Sequence, residues 1–533
     1  MRQVPSWAAV AGAVALALPW LWGLSYLLPP LDGDVAAILS FAVRMVDGDR
    51  LYVDLVDVNP PLIFWLNLAP AWIAARCGLD PAVALIGLVL LLQAASLALC
   101  RAPATRLIEL RQPAARALVA PVVLFAILIL PTGNFGQREP LMTSFALPYL
   151  ALAALRLQGE RVAPGAAVLR AGFAAVGFLI KPYFLAVPLV VELCLLLRGG
   201  TRAWLRRPEP FVIAALALAY AAVAWRCHPA YFSEILPLVG RYYVTDDPSM
   251  SIARVFGAPA RWALLGAVAP AIVWGLVASR RPVLTVASLF TLGGVASALV
   301  QGKGWPYHVL PFQQGATLVL TLAAAAALGR IGARTPAPRT RLAAAGLFGL
   351  AVALFTAAHP PWRDRLDYEG SFAGRLEALV ERDAPGQGVL WLTDAIYPKY
   401  PVLLYGRARP ASRFMELWLI DGLYRAEAGR RPSMRPPALM SDDERRLFDM
   451  VGTSLERDRP ALVLVASAAA ELGVAADQFD YLAYFLRHPS FAREWRHYRE
   501  VAVIDGTRVF RRIDPAPPAL PGRPAGGRRS KPL

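Results

Sequence analysis

The sequence predicts a polytopic α-helical membrane protein of about eleven transmembrane helices, closed by a small C-terminal α/β domain. Three observations predict it. Of 533 residues, 57% are hydrophobic and only 17% are charged, where a soluble chain carries about 25% charge. Apolar runs of spanning length recur down to residue 358. The arginines between them fall in short clusters, as they do in loops that set topology in a bilayer. The same clustering decides what the net charge of +17 means. No basic stripe with interleaved aromatics exists, so nucleic acid is excluded as a partner and membrane lipid is expected instead.

The first span covers residues 8–28. Its short basic start and the lack of a small-residue cleavage site predict a retained signal anchor. An acidic loop follows, LDGDVAAILSFAVRMVDGDRLYVDLVDVNPPLIFW from Leu31 to Trp65. It holds Asp32, Asp34, Asp47, Asp49, Asp54 and Asp57, with Asn59-Pro60-Pro61 near its end. Apolar runs then lie near 61–77, 82–100, 116–131, 141–157, 168–180, 182–197, 210–227, 261–279, 283–301, 308–329 and 341–358. Four arginine clusters must share the cytoplasmic face: Arg101 to Arg116, Arg198 to Arg207, Arg280-Arg281, and Arg330 to Arg341. This works if 61–77 is a helix that lies on, or dips into, the outer interface, where its Trp and Phe residues are comfortable. The alternative is that 61–77 spans and another short run does not. On the first reading the acidic loop, 132–140, Lys181, 228–260 and 302–307 all face outward, from an integral plasma (inner) membrane.

The expected domains are a transmembrane domain over 1–358, an extracytoplasmic α/β domain over 359–514 and a disordered Pro/Gly/Arg-rich tail over 515–533. Within the second, 388–394, 460–467 and 499–512 read as strands, the last folded at Asp505-Gly506. Residues 441–458 read as a helix with Ser441 as N-cap and Glu444 completing a capping box. Cys77, Cys100, Cys194 and Cys227 fit neither a zinc site nor a disulfide framework.

Four segments carry the residue types of a reactive site. Asp34 and Asp32 can take a proton from a hydroxyl or hold a divalent cation; Asp32 can equally cap the next helix. PTGNFGQREPLM (131–142) places Gln137, Arg138 and Glu139 at a membrane edge, where an unpaired charge is costly and Arg138 can grip a phosphate. FLIKPYF (178–184) places Lys181 at a proline break, as a phosphate ligand or a snorkelling lysine. QGKGWPYHVLPF (301–312) sets Lys303 between glycines, which let a backbone approach a ligand. Trp305 and Tyr307 offer faces for a sugar ring and His308 a hydrogen bond; an interfacial aromatic belt also explains the two rings. Residues 228–260, with Asp246 and Asp247, read as a lid or a solvated loop.

The order Asp34, apolar helix, Gly48, Leu51-Tyr52, Asp54, Asn59-Pro60-Pro61-Leu62 resembles the first outer loop of GT-C glycosyltransferases. That superfamily contains the protein O-mannosyltransferases and the lipid A aminoarabinose transferases. Asp34 stands at its first acid. Val35 stands where a Glu is common, and Asn59 where His or Lys is common. Glu139 would supply the acid of a second loop, and a lysine at a break like that of Lys181 recurs. The resemblance, over residues 8–358, implies a GT-C-like fold and an inverting sugar transfer from a polyprenyl-phosphate donor to the hydroxyl of a glycan, lipid or protein in the cell envelope. Lys181, Lys303 and Arg138 would hold the donor phosphate. Asp34, with Asp32, would be the catalytic acids. Glu139, Gln137, Asp57, Asn59, Trp305, Tyr307 and His308 would line the substrate site. No metal ligand set is assigned, although a carboxylate pair there could take a divalent cation. The alternative class is a transporter or flippase for a lipid-linked substrate, which calls for charges deep inside spans and repeated halves. A third is a non-catalytic envelope scaffold.

Overall fold

The computed structural model describes residues 7–28, 30–111, 113–243, 255–277, 281–332, 354–355, 358, 366–424, 434–466 and 479–514. The expected span at 341–358, the tail at 515–533 and the acidic pair Asp246-Asp247 fall wholly or mostly outside these residues. The chain divides into two compact units. The first holds residues 1–28, 86–223 and 246–362; the second holds 29–85, 224–245 and 363–533.

The first unit is helical. Over the whole chain, seven described helices are long and apolar enough to cross a membrane: Pro81–Arg106, Arg138–Leu157, Pro182–Gly199, Glu209–Cys227, Pro259–Val277, Pro282–Gln301 and Pro306–Ala327. Three shorter apolar helices, Ala13–Leu27, Leu118–Ile129 and Pro164–Phe178, match further runs read from the sequence. Helices are the form such runs must take, because hydrocarbon offers backbone groups no other partner. Many open on proline, whose missing N–H costs nothing in a first turn. Their burial sorts them. Of the most apolar stretch of Arg138–Leu157, 83% is buried, against 11% for Glu209–Cys227. The former is therefore central, and the latter presents residues such as Leu218 outward.

Small residues let the central helices approach. A Cβ on Gly293 would lie 2.7 Å from the Val187 Cα, and one on Gly294 2.8 Å from the Phe312 backbone nitrogen. Both contacts are to backbone, which cannot rotate away. Gly294→Val is accordingly expected to cost about 1–3 kcal/mol, seen as a lower melting temperature in detergent; an unchanged value would contradict this packing. One loop departs from expectation. Arg207, read as a topogenic charge, is buried and pairs with Glu192 at 2.9 Å, while Glu209 takes Arg156 at 2.8 Å.

The second unit is α/β. Its sheet has the order β2-β1-β3-β5-β4, with β1 Gly388–Leu392, β2 Arg409–Pro410, β3 Leu462–Val465, β4 Tyr498–Ile504 and β5 Thr507–Arg512. Strands β1, β2 and β3 are parallel, and β5 and β4 close the sheet as an antiparallel hairpin. GVLWL and LVLV are apolar throughout, as strands covered on both faces must be. Asp505 and Gly506 turn the hairpin with φ of 44° and 82°, as a two-residue primed turn requires. The expected helix at 441–458 is interrupted at Thr453, giving Asp442–Gly452 and Ser454–Asp458. Ser441 caps it, its hydroxyl accepting from the Glu444 amide at 3.3 Å. Glu444 does not complete a capping box, however. Its side chain is buried and accepts from the hydroxyls of Tyr424 and Tyr484 and from Arg435.

Candidate active site

In the first unit, three of the four segments singled out in the sequence converge. Lys181 precedes Pro182, a position that disfavours the helical region. It is extended, with φ −134° and ψ 139°, at the break after the Pro164–Phe178 helix. The break turns the side chain into the unit. Its Nζ lies 2.7 Å from Glu139 Oε1 and 2.8 Å from Gln301 Oε1. Glu139 and Arg138 form the first turn of the Arg138–Leu157 helix, whose positive N-terminal end suits an acid. Both are buried, and an Arg138 Nη donates to Gln137 Oε1 at 3.2 Å.

Lys303 sits between Gly302 and Gly304, whose φ values are 67° and 64°. Both glycines are required by the left-handed turn that ends the Pro282–Gln301 helix. The turn carries the chain back into the unit, where Tyr307 and His308 are buried. The Tyr307 ring centre is 5.5 Å from the Arg138 guanidinium carbon and 5.4 Å from Lys181 Nζ. Lys303 Nζ stands 5.1 Å over the half-buried Trp305. His308 meets Tyr307 edge-on at 4.6 Å and feels the charges of Lys181, Arg138, Lys303 and Arg261. Of the two rings expected to stack a sugar, Trp305 is half-buried beneath Lys303, and Tyr307 is buried with Arg138 and Lys181 against it.

In the second unit the acidic loop sorts its own aspartates. Asp32 is the N-cap of the Gly33–Val46 helix, with Oδ1 accepting from the Asp34 amide at 3.1 Å. Asp49 pairs with Arg44 at 2.7 Å and Arg409 at 3.1 Å, and Asp54 pairs with Arg50. Asp47 is exposed. Asp57 is buried and accepts from both the backbone amide and the side-chain amide of Asn59 at 2.8 Å. Asp34 occupies the first turn of the helix and is half-buried.

Tyr52 of the motif, together with His228 and Tyr231, holds this loop. Tyr52, at φ 65°, is buried and donates its hydroxyl to the Asn59 carbonyl. It packs against His228 and Tyr231. His228 Nε2 accepts from the Trp65 indole at 3.0 Å. Burial lowers the His228 pKa and a hydrogen bond with the Leu51 backbone works against that. The loop at 228–243 is anchored: Arg241 and Tyr242 both bond Asp443, and Glu234 pairs with Arg446. Asp394, just after β1, is buried beside Tyr481, whereas Tyr397 is exposed.

Lys399 is the least legible of these groups. It is 1% exposed, with Nζ 3.4 Å from the Phe414 carbonyl. Burial pushes its ammonium down to about 7, Arg44 adding to the shift and Glu416 opposing it. Below pH 7 the lysine is charged in both states, and the fold bears the cost of burying the charge. Between pH 7 and about 10 the unfolded chain holds the proton more tightly, so stability is expected to rise with pH, by at most about 5 kcal/mol. Hydrogen exchange at β1 in the full-length protein would follow the rise, and Lys399→Met should flatten it. Among the described residues no group of three or more His, Cys, Asp or Glu side chains gathers to hold a metal.

No family model matches the chain, and no curated protein matches its sequence. Solved structures do. ArnT from Cupriavidus metallidurans bound to undecaprenyl phosphate superposes with a TM-score of 0.57 at 14% identity, over 95% of this chain and 97% of that one. The apo state of the same protein gives the same values. With its apolar helices and C-terminal sheet, the chain has the fold of these ArnT structures.

Proposed function

We propose that this protein is an inverting glycosyltransferase that moves a sugar from a polyprenyl-phosphate carrier to an acceptor hydroxyl at the outer face of the membrane. The observation that carries the proposal is the gathering of Arg138, Lys181 and Lys303 around Tyr307 and His308, with Glu139 paired to Lys181. Three cations against one carboxylate favour an anion, and a buried setting strengthens each interaction with a phosphate. The fold shared with an ArnT that binds undecaprenyl phosphate supports a lipid phosphate as that anion.

On this reading the acceptor oxygen attacks the sugar's anomeric carbon and gives its proton to Asp34. The bond from that carbon to the phosphate oxygen breaks, and the electron pair leaves with the polyprenyl phosphate. Lys181, Lys303 and Arg138 stabilise the charge that grows there, a term that usually dominates such reactions. Asp32 positions Asp34 by capping its helix, and Asp57 with Asn59 shapes the loop. Residues 359–514 lie on the outer side with the acceptor. The test is purified protein in nanodiscs, supplied with polyprenyl-phosphate-linked hexoses and pentoses and an envelope extract as acceptor. Release of free polyprenyl phosphate, matched by glycosylated product, is expected from at least one donor. Failure to bind or turn over any of them would refute the assignment.

A further inference from the structure

The first unit contains a second candidate site, far from the cation cluster. A cavity of about 1000 Å³ lies among its helices, at the large end of the range of about 300–1,000 Å³ for small-molecule sites. Its walls are apolar, with Leu97, Val123, Leu150, Phe290 and Leu322 among them. One edge is different in kind. Arg101, Thr105 and Arg111 line it, and all three are exposed. The cavity also touches Ala154, 16 residues beyond Arg138 on one helix, which is about 24 Å along the axis. It touches Val286, 15 residues before Gln301 on another, or about 22 Å. It therefore occupies the opposite end of the unit from Lys181 and Lys303.

We propose that this cavity binds an anionic glycerophospholipid of the adjacent leaflet, its acyl chains among the apolar walls and its phosphate on Arg101 and Arg111. Basic pockets between membrane helices favour such headgroups. Nearby carboxylates are already engaged. Glu109 accepts from the Val283 amide at 2.5 Å, and Glu160 pairs with Arg106 at 2.6 Å. Arg111 also feels Glu160, but that carboxylate is already paired with Arg106, so Arg101 and Arg111 together leave the edge positive.

The experiment uses full-length protein stripped of lipid in neutral detergent. Native mass spectrometry with equimolar phosphatidylglycerol and phosphatidylcholine should show at least a tenfold preference for phosphatidylglycerol. Arg101→Gln with Arg111→Gln should bring that preference to within twofold, while Arg226→Gln, at an exposed arginine away from the cavity lining, leaves it unchanged. In a cysteine-free background, labelling of Ala151→Cys, on the cavity wall, by an apolar maleimide should slow several-fold on adding phosphatidylglycerol but not phosphatidylcholine. Equal retention of both lipids would mean bulk lipid only and overturn the proposal. So would displacement of phosphatidylglycerol by equimolar polyprenyl phosphate, or an Ala151→Cys that resists labelling before any lipid is added.

Discussion

Asp34→Asn is expected to lower sugar transfer by about 10²- to 10⁴-fold, the range for loss of a positioned general base. Donor affinity and melting temperature should stay near those of the parent protein. The expectation rests on the proposed reading, in which Asp34 stands at the first acid of the loop. It is half-buried in the first turn of the Gly33–Val46 helix. Asp49 and Asp54 pair with arginines, and Asp32 caps that helix. Asparagine keeps its shape and cannot take the proton. Single-turnover release of polyprenyl phosphate, read beside equilibrium donor binding, separates the two effects. Full activity in the variant would remove Asp34 from the chemistry. Asp32→Asn should behave differently, costing about 1 kcal/mol of stability with a smaller loss of rate, as the loss of a cap does.

The second large effect concerns the pair of Lys181 and Glu139. Glu139 is fully buried and Lys181 nearly so, at a separation of 2.7 Å. Removing one partner leaves the other charge buried without compensation, at a cost of about 3–5 kcal/mol. Glu139→Leu and Lys181→Met should each lower the melting temperature sharply. The double replacement should recover most of the stability, because an apolar pair of similar volume can substitute for a buried ion pair. It should not restore donor binding to the parent level, because one of the three proposed phosphate ligands is gone. A double variant as unstable as either single one would show that the pair is not the source of the cost. A double variant that binds donor as tightly as the parent protein would take Lys181 out of the phosphate site.

Much of this protein is legible without coordinates. Span-length apolar runs can only be helices in a bilayer, and ten of the eleven runs read as spans return as apolar helices among the described residues. The strands at 388, 462 and 498 announce themselves by continuous β-branched and aromatic residues or by Asp505-Gly506. Lys181, Arg138 and Lys303 stand out because a charge beside an apolar run is expensive enough to need a reason.

What the sequence cannot show is which charge meets which. Lys181 and Gln301 are 120 positions apart, and nothing in FLIKPYF names its partner. Glu139 looked like a substrate acid and turns out to hold Lys181 as well. Glu444 looked like half of a capping box and instead anchors two tyrosines and an arginine. Lys399 carried no signal at all, because its shifted charge depends on burial by Phe414 and on Glu416 and Arg44, all distant in the chain. By itself the sequence determined the apolar helices and the strands of the C-terminal sheet, since hydropathy and backbone satisfaction are local properties. Only the tertiary structure decided the pairing of Lys181 with Glu139, the division of labour among the six aspartates and the cavity at the arginine-rich end. Those depend on distances across helices, and electrostatic energy is set by distance and burial rather than by order along the chain.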